Sequence, residues 1–350
     1  MKGDFVFAIP GDLDTPTGGY IYDKRMIAEL RDLGWRPDVL NLGDGFPKPN
    51  ALTLAAAKAH LTDVPKGRAI VIDGLAFGVL PDAAEALRES HPLIALVHHP
   101  LALETGVTPQ DAAQLRDSER AALACTRHVI ATSPTTARTL AADYGVSAER
   151  ITVAPPGTDR PKVVRRNNAG PTHLLAVGSV VPRKGYDVLT DALRLLLDLP
   201  WRLTIVGDCS RDPACAARLQ ADIARYRLAA RVRVEDAIPA ERLAALYAAS
   251  DLFVLPSRYE GFGMAYAEAI AYGLPVIGTT AGAIPDTVPV TAGVLVPPDD
   301  VAALATALRR LIEQPDERAQ LAAGARAAAA ALPTWRGSAE LFAQAIARVS

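Results

Sequence analysis

Apolar positions follow two alternating rhythms along the chain. Short β-branched runs, DFVFAI (4–9), RPDVLNL (36–42), AIVID (69–73), LIALVH (93–98), HVIATS (128–133) and ITVA (151–154), alternate with amphipathic stretches such as 20–33 and 110–126. Strands that alternate with helices pair in parallel and are covered on both faces. The rhythm stops at PPGTDRPKVVRRNNAGP (155–171), whose prolines and charges carry no hydrophobic period, and a linker is predicted over 161–171. It restarts with HLLAVG (173–178), WRLTIVG (201–207), RVRV (231–234), DLFVLP (251–256) and PVIGT (275–279). Helices are predicted over 299–313, 315–331 and 334–349, with Pro333 separating the alanine-rich tract 322–331 from the last of them. The pattern is α/β: two tandem doubly wound, Rossmann-like domains at 1–160 and 172–333. The final segment, 334–350, has no obvious place in the second domain and is expected to cross back to the first.

A length of 350 residues agrees with two domains of ~100–200 residues each, which imply a cleft. Apolar residues make up 50% of the chain and charged ones 22%, enough for two ordinary cores. The formal net charge is −2, and residues 1–165 carry 18 Lys+Arg against 20 Asp+Glu, leaving 19 of each for the remainder. Neither half is a basic body, so nucleic acid is not the expected partner and a small molecule is. Cys125, Cys209 and Cys215 fit no zinc or haem spacing, and Cys209 and Cys215 are read as free thiols. No secretory signal precedes Phe5, which makes the cytoplasm the expected location. No run reaches the ~18–20 apolar residues of a membrane span, while peripheral attachment is left open.

Ligands of open parallel sheets collect beyond the carboxyl ends of the strands, so the loops there carry the candidate chemistry. After the first strand, Gly18 and Gly19 immediately precede a predicted helix whose N–H groups suit a phosphate; a flexible turn is the bland alternative. Asp12 and Asp14 in that loop resemble a metal-binding pair, but chance is the better explanation. In AVGSVVPRKGYDVL, Arg183 and Lys184 arrive just before a helix, where positive side chains are disfavoured. A diphosphate between them would settle the conflict, whereas a solvated basic turn is the plain alternative. DLFVLP runs into SRYEGFGM, which puts Glu260 in the loop, with Gly261 and Gly263 flanking Phe262 at the next helix start. Glu268 falls about one and a half turns into that apolar helix, where its carboxylate needs specific donors, for which ribose hydroxyls would serve. LVHHPLALETG ends a strand on His98 and His99, for which a structural role is the default, and Glu104 is a candidate acceptor contact.

These stretches in their order, PTGGY, VHHP, PPGTD, GSVVPRKGYDVLTDAL, SRYEGFGMAYAEAIAYGLPVIGT, AGAIPDTV and GVLVPPDD, resemble glycosyltransferase family 4 over nearly the whole chain. That group comprises retaining, nucleotide-sugar-dependent enzymes of the GT-B fold. The Glu-x7-Glu stretch with EGFG is the most specific element. The resemblance implies that Glu260 and the amides of Gly261, Phe262 and Gly263 hold the donor sugar and that Glu268 holds the ribose. It implies that Arg183 and Lys184 neutralise the donor diphosphate, joined by amides near Gly18 and Gly19, and that His98, rather than His99, faces the sugar. One departure is Ser179, where many members have arginine directly after the strand-ending glycine. The implied reaction moves a sugar from a nucleoside diphosphate sugar to an acceptor, whether small molecule, glycan or lipid-linked. It would proceed on one face, without metal or cofactor, with charge building on the leaving diphosphate. A nucleotide-sugar epimerase of the same fold and a non-catalytic nucleotide-binding protein are the alternatives.

Overall fold

The structure, a computed structural model, describes residues 3–104, 106–161 and 170–349. Residues 162–169 of the expected linker lie outside that range. The chain divides into two compact units, Met1–Gly157 with Pro333–Ser350, and Thr158–Leu332.

In the first unit the described residues form β1 (Asp4–Ile9), α1 (Gly18–Asp32), β2 (Arg36–Asn41), α2 (Ala51–Thr62), β3 (Ala69–Asp73), α3 (Gly74–Phe77), α4 (Pro81–Leu87), β4 (Leu93–Val97), α5 (Pro109–Ala124), β5 (His128–Ala131), α6 (Pro134–Asp143) and β6 (Ile151–Val153). The strands make one parallel sheet in the order β2-β1-β3-β4-β5-β6. β3, β4 and β5 are buried at every position, which explains their unbroken apolar sequences: both faces are covered. Helix starts are set by side chains that accept orphan amide hydrogens, Thr17 for α1, Thr108 for α5 and Ser133 for α6.

The second unit contributes β7 (Thr172–Val177), α7 (Tyr186–Leu193), β8 (Trp201–Val206), α8 (Pro213–Arg225), β9 (Val232–Glu235), α9 (Ala240–Ala249), β10 (Leu252–Val254), α10 (Met264–Ala271), β11 (Val276–Thr279), α11 (Ile284–Thr287), β12 (Gly293–Val296), α12 (Val301–Glu313) and α13 (Pro315–Ala329). Its parallel sheet runs β12-β11-β10-β7-β8-β9. β12 is absent from the strands predicted above: four residues ahead of Pro297 and Pro298 are too few to show a period, and the strand is fixed by pairing with β11. The core gathers Phe253 against Tyr266 in an edge contact at 5.5 Å and against Tyr247 in a stacked one at 6.2 Å.

The last helix, α14 (Trp335–Ala347), packs on α1, β5 and β6 of the first unit, the return expected from the sequence. Phe342 stacks on Phe7 with centroids 5.9 Å apart, and Trp335 lies 6.0 Å from Tyr22. Full burial of such a side chain stabilises by roughly 1.5–3 kcal/mol, so the apolar stripe of α14 is what holds it there.

Candidate active site

In the second unit, two loops leave the carboxyl ends of the paired strands β7 and β10. The first makes a single 3-10 turn, Pro182–Lys184, and then Gly185 in the left-handed region at φ 68°. A Cβ at Gly185 would stand 2.2 Å from the carbonyl oxygen of Pro256, so glycine alone lets this turn press against the second loop. That second loop ends in Gly263, also left-handed at φ 93°, which opens α10.

The pressed loops bring Arg183, Lys184 and Glu260 into direct contact. Arg183 Nη1 donates to Glu260 Oε2 at 3.0 Å and to the Tyr259 carbonyl at 2.8 Å, and Lys184 Nζ donates to Glu260 Oε1 at 2.6 Å. Ser257 Oγ donates to the same Oε1 at 2.7 Å. Glu260 is only 6% exposed, and burial by itself would raise its pKa. The charges of Lys184 and Arg183 outweigh burial and hold the carboxyl at about 2. The electrostatic conflict at the helix start therefore has an internal resolution: Glu260 is the anion between the two cations.

Arg258, which sequence reasoning passed over, braces this arrangement. Its guanidinium grips Asp187 at 2.7 and 3.1 Å and Asp299 at 2.7 Å and donates to the Pro182 carbonyl, while its amide donates to the Arg183 carbonyl at 2.7 Å. Its position two residues before Glu260 was the available signal. Farther along, Thr287 Oγ1 donates to the Phe262 carbonyl at 2.6 Å, which fixes the Gly261–Gly263 stretch, and Ala283 N–H donates to the Glu260 carbonyl at 2.9 Å. Glu268 is joined to none of these side chains. Its Oε2 accepts from Tyr247 Oη at 2.8 Å, so a phenol supplies one of the donors that the apolar helix lacks. Burial raises its pKa, and the Tyr247 hydrogen bond works against that.

In the first unit, Gly18 and Gly19 are the first residues of α1 instead of preceding it. Gly19 lies over the His98 ring, where a Cβ would meet Cδ2 at 3.5 Å and Nε2 at 3.6 Å. The two histidines separate cleanly. His99 Nε2 faces Glu104 at 3.2 Å, whereas His98 Nε2 turns inward to Asp73 Oδ2 at 3.1 Å and Asp23 Oδ1 at 3.3 Å. Asp23 is wholly buried and Asp73 nearly so. Burial and the neighbouring Asp73 charge push Asp23 up to about 7. Burial would lower His98, but close contact with Asp23 and the hydrogen bond to Asp73, together with the charge of both carboxylates, prevail and raise it to about 10. Sequence reasoning missed both carboxylates. The signals were an aspartate closing the apolar strand AIVID and another on the buried stripe of α1 with Tyr22, Met26, Ile27 and Leu30. Asp14 forms an exposed pair with Lys24, and Cys125, Cys209 and Cys215 are free thiols. His91, His128 and His173 are buried packing residues, whereas His60 is exposed.

Two parallel sheets clothed in helices have the architecture of the GT-B fold, and the sequence comparisons make the chain a glycosyl transferase. Residues 18–161 match the family model described as Glycosyltransferase Family 4, and residues 159–328 match Glycosyl transferases group 1. The MMP alpha-(1→4)-mannosyltransferase of Mycolicibacterium hassiacum is 28% identical over 87% of this chain and 77% of its own. Against four D-inositol 3-phosphate glycosyltransferases, 32–35% identical, the matched segment spans only 54–63% of their length. Among solved structures, sucrose-phosphate synthase from Thermosynechococcus elongatus superposes with a TM-score of 0.81 at 23% identity over 98% of both chains. Anabaena HepE in complex with UDP-glucose gives 0.78 at 20% identity, covering 98% of this chain and all of its own. No helix among the described residues is long and apolar enough to cross a membrane.

Proposed function

We propose that the chain is a member of glycosyltransferase family 4 that moves a sugar from a nucleoside diphosphate sugar to an acceptor, with retention of anomeric configuration and without metal or cofactor. The observation that carries this reading is the Arg183–Lys184–Glu260 cluster at the ends of β7 and β10. Two cations and one carboxylate sum to one positive charge, held at fixed positions in a largely buried loop pair. Such preorganised charge stabilises a leaving diphosphate most strongly as the glycosidic bond breaks, because no reorganisation is needed at that moment. Arg183 and Lys184 take the diphosphate, Glu268 with Tyr247 takes the ribose, and the Gly261–Gly263 amides with Glu260 take the donor sugar. His98 addresses the transferred sugar, and the amides of Gly18 and Gly19 the phosphate. UDP-glucose bound to the structurally similar HepE supports a nucleotide sugar as the donor class.

The test is release of free nucleoside diphosphate from a panel of UDP-, GDP- and ADP-sugars, after a thermal-shift screen to find the stabilising donor. Acceptor-stimulated release that persists in EDTA, with a product of the donor's anomeric configuration, is expected. A donor whose phosphate linkage survives while its sugar is epimerised would overturn the transfer, and binding without any turnover would make the chain a nucleotide-binding protein. Loss of release in EDTA would overturn metal independence.

A further inference from the structure

We propose that Asp23 and Asp73 are positioning residues that clasp His98 through Nε2 and keep its ring protonated at both nitrogens, so that the ring meets a ligand through Nδ1–H, as a hydrogen-bond donor and never as a base. This deepens the reading above, since it rests on His98 addressing the transferred sugar. The geometry carries it. Nε2 lies 3.1 Å from Asp73 Oδ2 and 3.3 Å from Asp23 Oδ1, and a nitrogen facing two carboxylates must present a hydrogen. Nδ1 has no partner among the described residues, and the side chain is 20% exposed, so Nδ1 is the nitrogen left for a ligand.

Each carboxylate is placed for this task. Asp73 Oδ1 accepts from the Leu75 amide at 2.7 Å as the cap of α3, which orients Oδ2 toward His98. Both Asp23 oxygens lack a well-formed hydrogen bond, although the side chain is wholly buried, so its near neighbour His98 is the source of compensating charge. Burial opposes the cation, and the two carboxylates must outweigh it; the Tyr22 and His98 rings meet at a steep angle with centroids 5.2 Å apart, and the Tyr22 hydroxyl donates to the Ala154 carbonyl. Among the described residues, Asp23, Asp73 and Tyr22 are the titratable groups seen against the ring. The raised pKa of His98 agrees with the clasp. A protonated ring donates to an oxygen, which suits a sugar hydroxyl or a developing negative charge, and it cannot accept the acceptor's proton. That proton must go elsewhere, and the leaving phosphate is the base the proposed reaction supplies.

The full chain labelled with 15N-histidine reads this directly by long-range proton–nitrogen NMR, with His98→Gln assigning the signal. His98 is expected to stay doubly protonated from pH 6 to pH 8.5, and in Asp73→Asn, which keeps the cap on Leu75, to titrate near the ordinary ~6.5. Asp23→Asn is expected to shift it likewise. With a turned-over donor, transfer by the wild type is flat over that range, whereas Asp73→Asn loses activity about tenfold per pH unit above its new midpoint. A neutral His98 at pH 7.5 in the wild type overturns the proposal. So does an unchanged titration in both variants, or a ring signal that moves with stoichiometric zinc, which would make the three side chains a cation site. The NMR result needs no turnover: a clasped ring in a protein that transfers nothing sinks the functional reading alone, and a neutral ring in an active enzyme sinks this proposal alone.

Discussion

The two units carry charge clusters of opposite design. In the second, one buried carboxylate, Glu260, sits between two cations; in the first, one imidazole, His98, sits between two buried carboxylates. The difference lies in which members can discharge. Arg183 keeps its proton at any ordinary pH, so the Glu260 cluster has fixed charge. Asp23 can trade a proton near neutrality, and the His98 imidazole can do so once a carboxylate is removed, so the first cluster adjusts when a partner is lost. A rigid positive centre suits a leaving group that is always anionic. An adjustable centre must be locked by geometry, and two carboxylates on one nitrogen are that lock.

The contrast sets the predicted effects. Glu260→Ala takes the shared carboxylate from two partly buried cations and is expected to cost about 3–5 kcal/mol in urea unfolding; a loss below 1 kcal/mol would mean the cluster is solvated. Next comes pH. Glu260 is depressed from 4.5 to about 2 in the fold, so its stabilisation is complete above pH 4.5 and is lost as pH falls toward 2, by about 3 kcal/mol. His98 has the reverse sign: raised from 6.5 to about 10, it stabilises fully below pH 6.5 and loses that as pH rises toward 10. Denaturant unfolding across pH should show both limbs, the acid one missing in Glu260→Gln and the alkaline one in His98→Gln. Asp73→Asn, the counterpart of removing Glu260, should cost less, about 1.5–3 kcal/mol, because His98 can drop its proton; an equal or larger cost would erase the distinction drawn here. Glu268→Gln should weaken the donor about tenfold, or ~1.4 kcal/mol, by calorimetry, leaving urea stability within error. The smallest change is Tyr247→Phe, which removes one hydrogen bond to Glu268 and about 1 kcal/mol of stability.

The sequence displayed the fold through its strand and helix rhythm, and it displayed the loops after β7 and β10 because the interesting residues there lie within a few positions of one another. It was silent where chemistry is assembled from distance. Asp23, Asp73 and His98 are 50 and 25 residues apart and meet because β1, β3 and β4 are neighbours in the sheet and α1 lies against them. No local period announces such a meeting. The same limit explains Glu268, whose partner Tyr247 comes from α9, and Arg258, whose anions lie 71 and 41 residues away. Glu260 shows the converse: the loop was legible, yet its carboxylate turned out to be the anion that the neighbouring cations required.

The final helix leaves a mark on biogenesis. α14 is translated after the whole of the second unit, yet its Trp335 and Phe342 rest against Tyr22 and Phe7 near the amino terminus. The apolar seat of the first unit is therefore filled only after the whole of the second unit has been synthesised, an inversion of the usual order in which domains mature as they emerge.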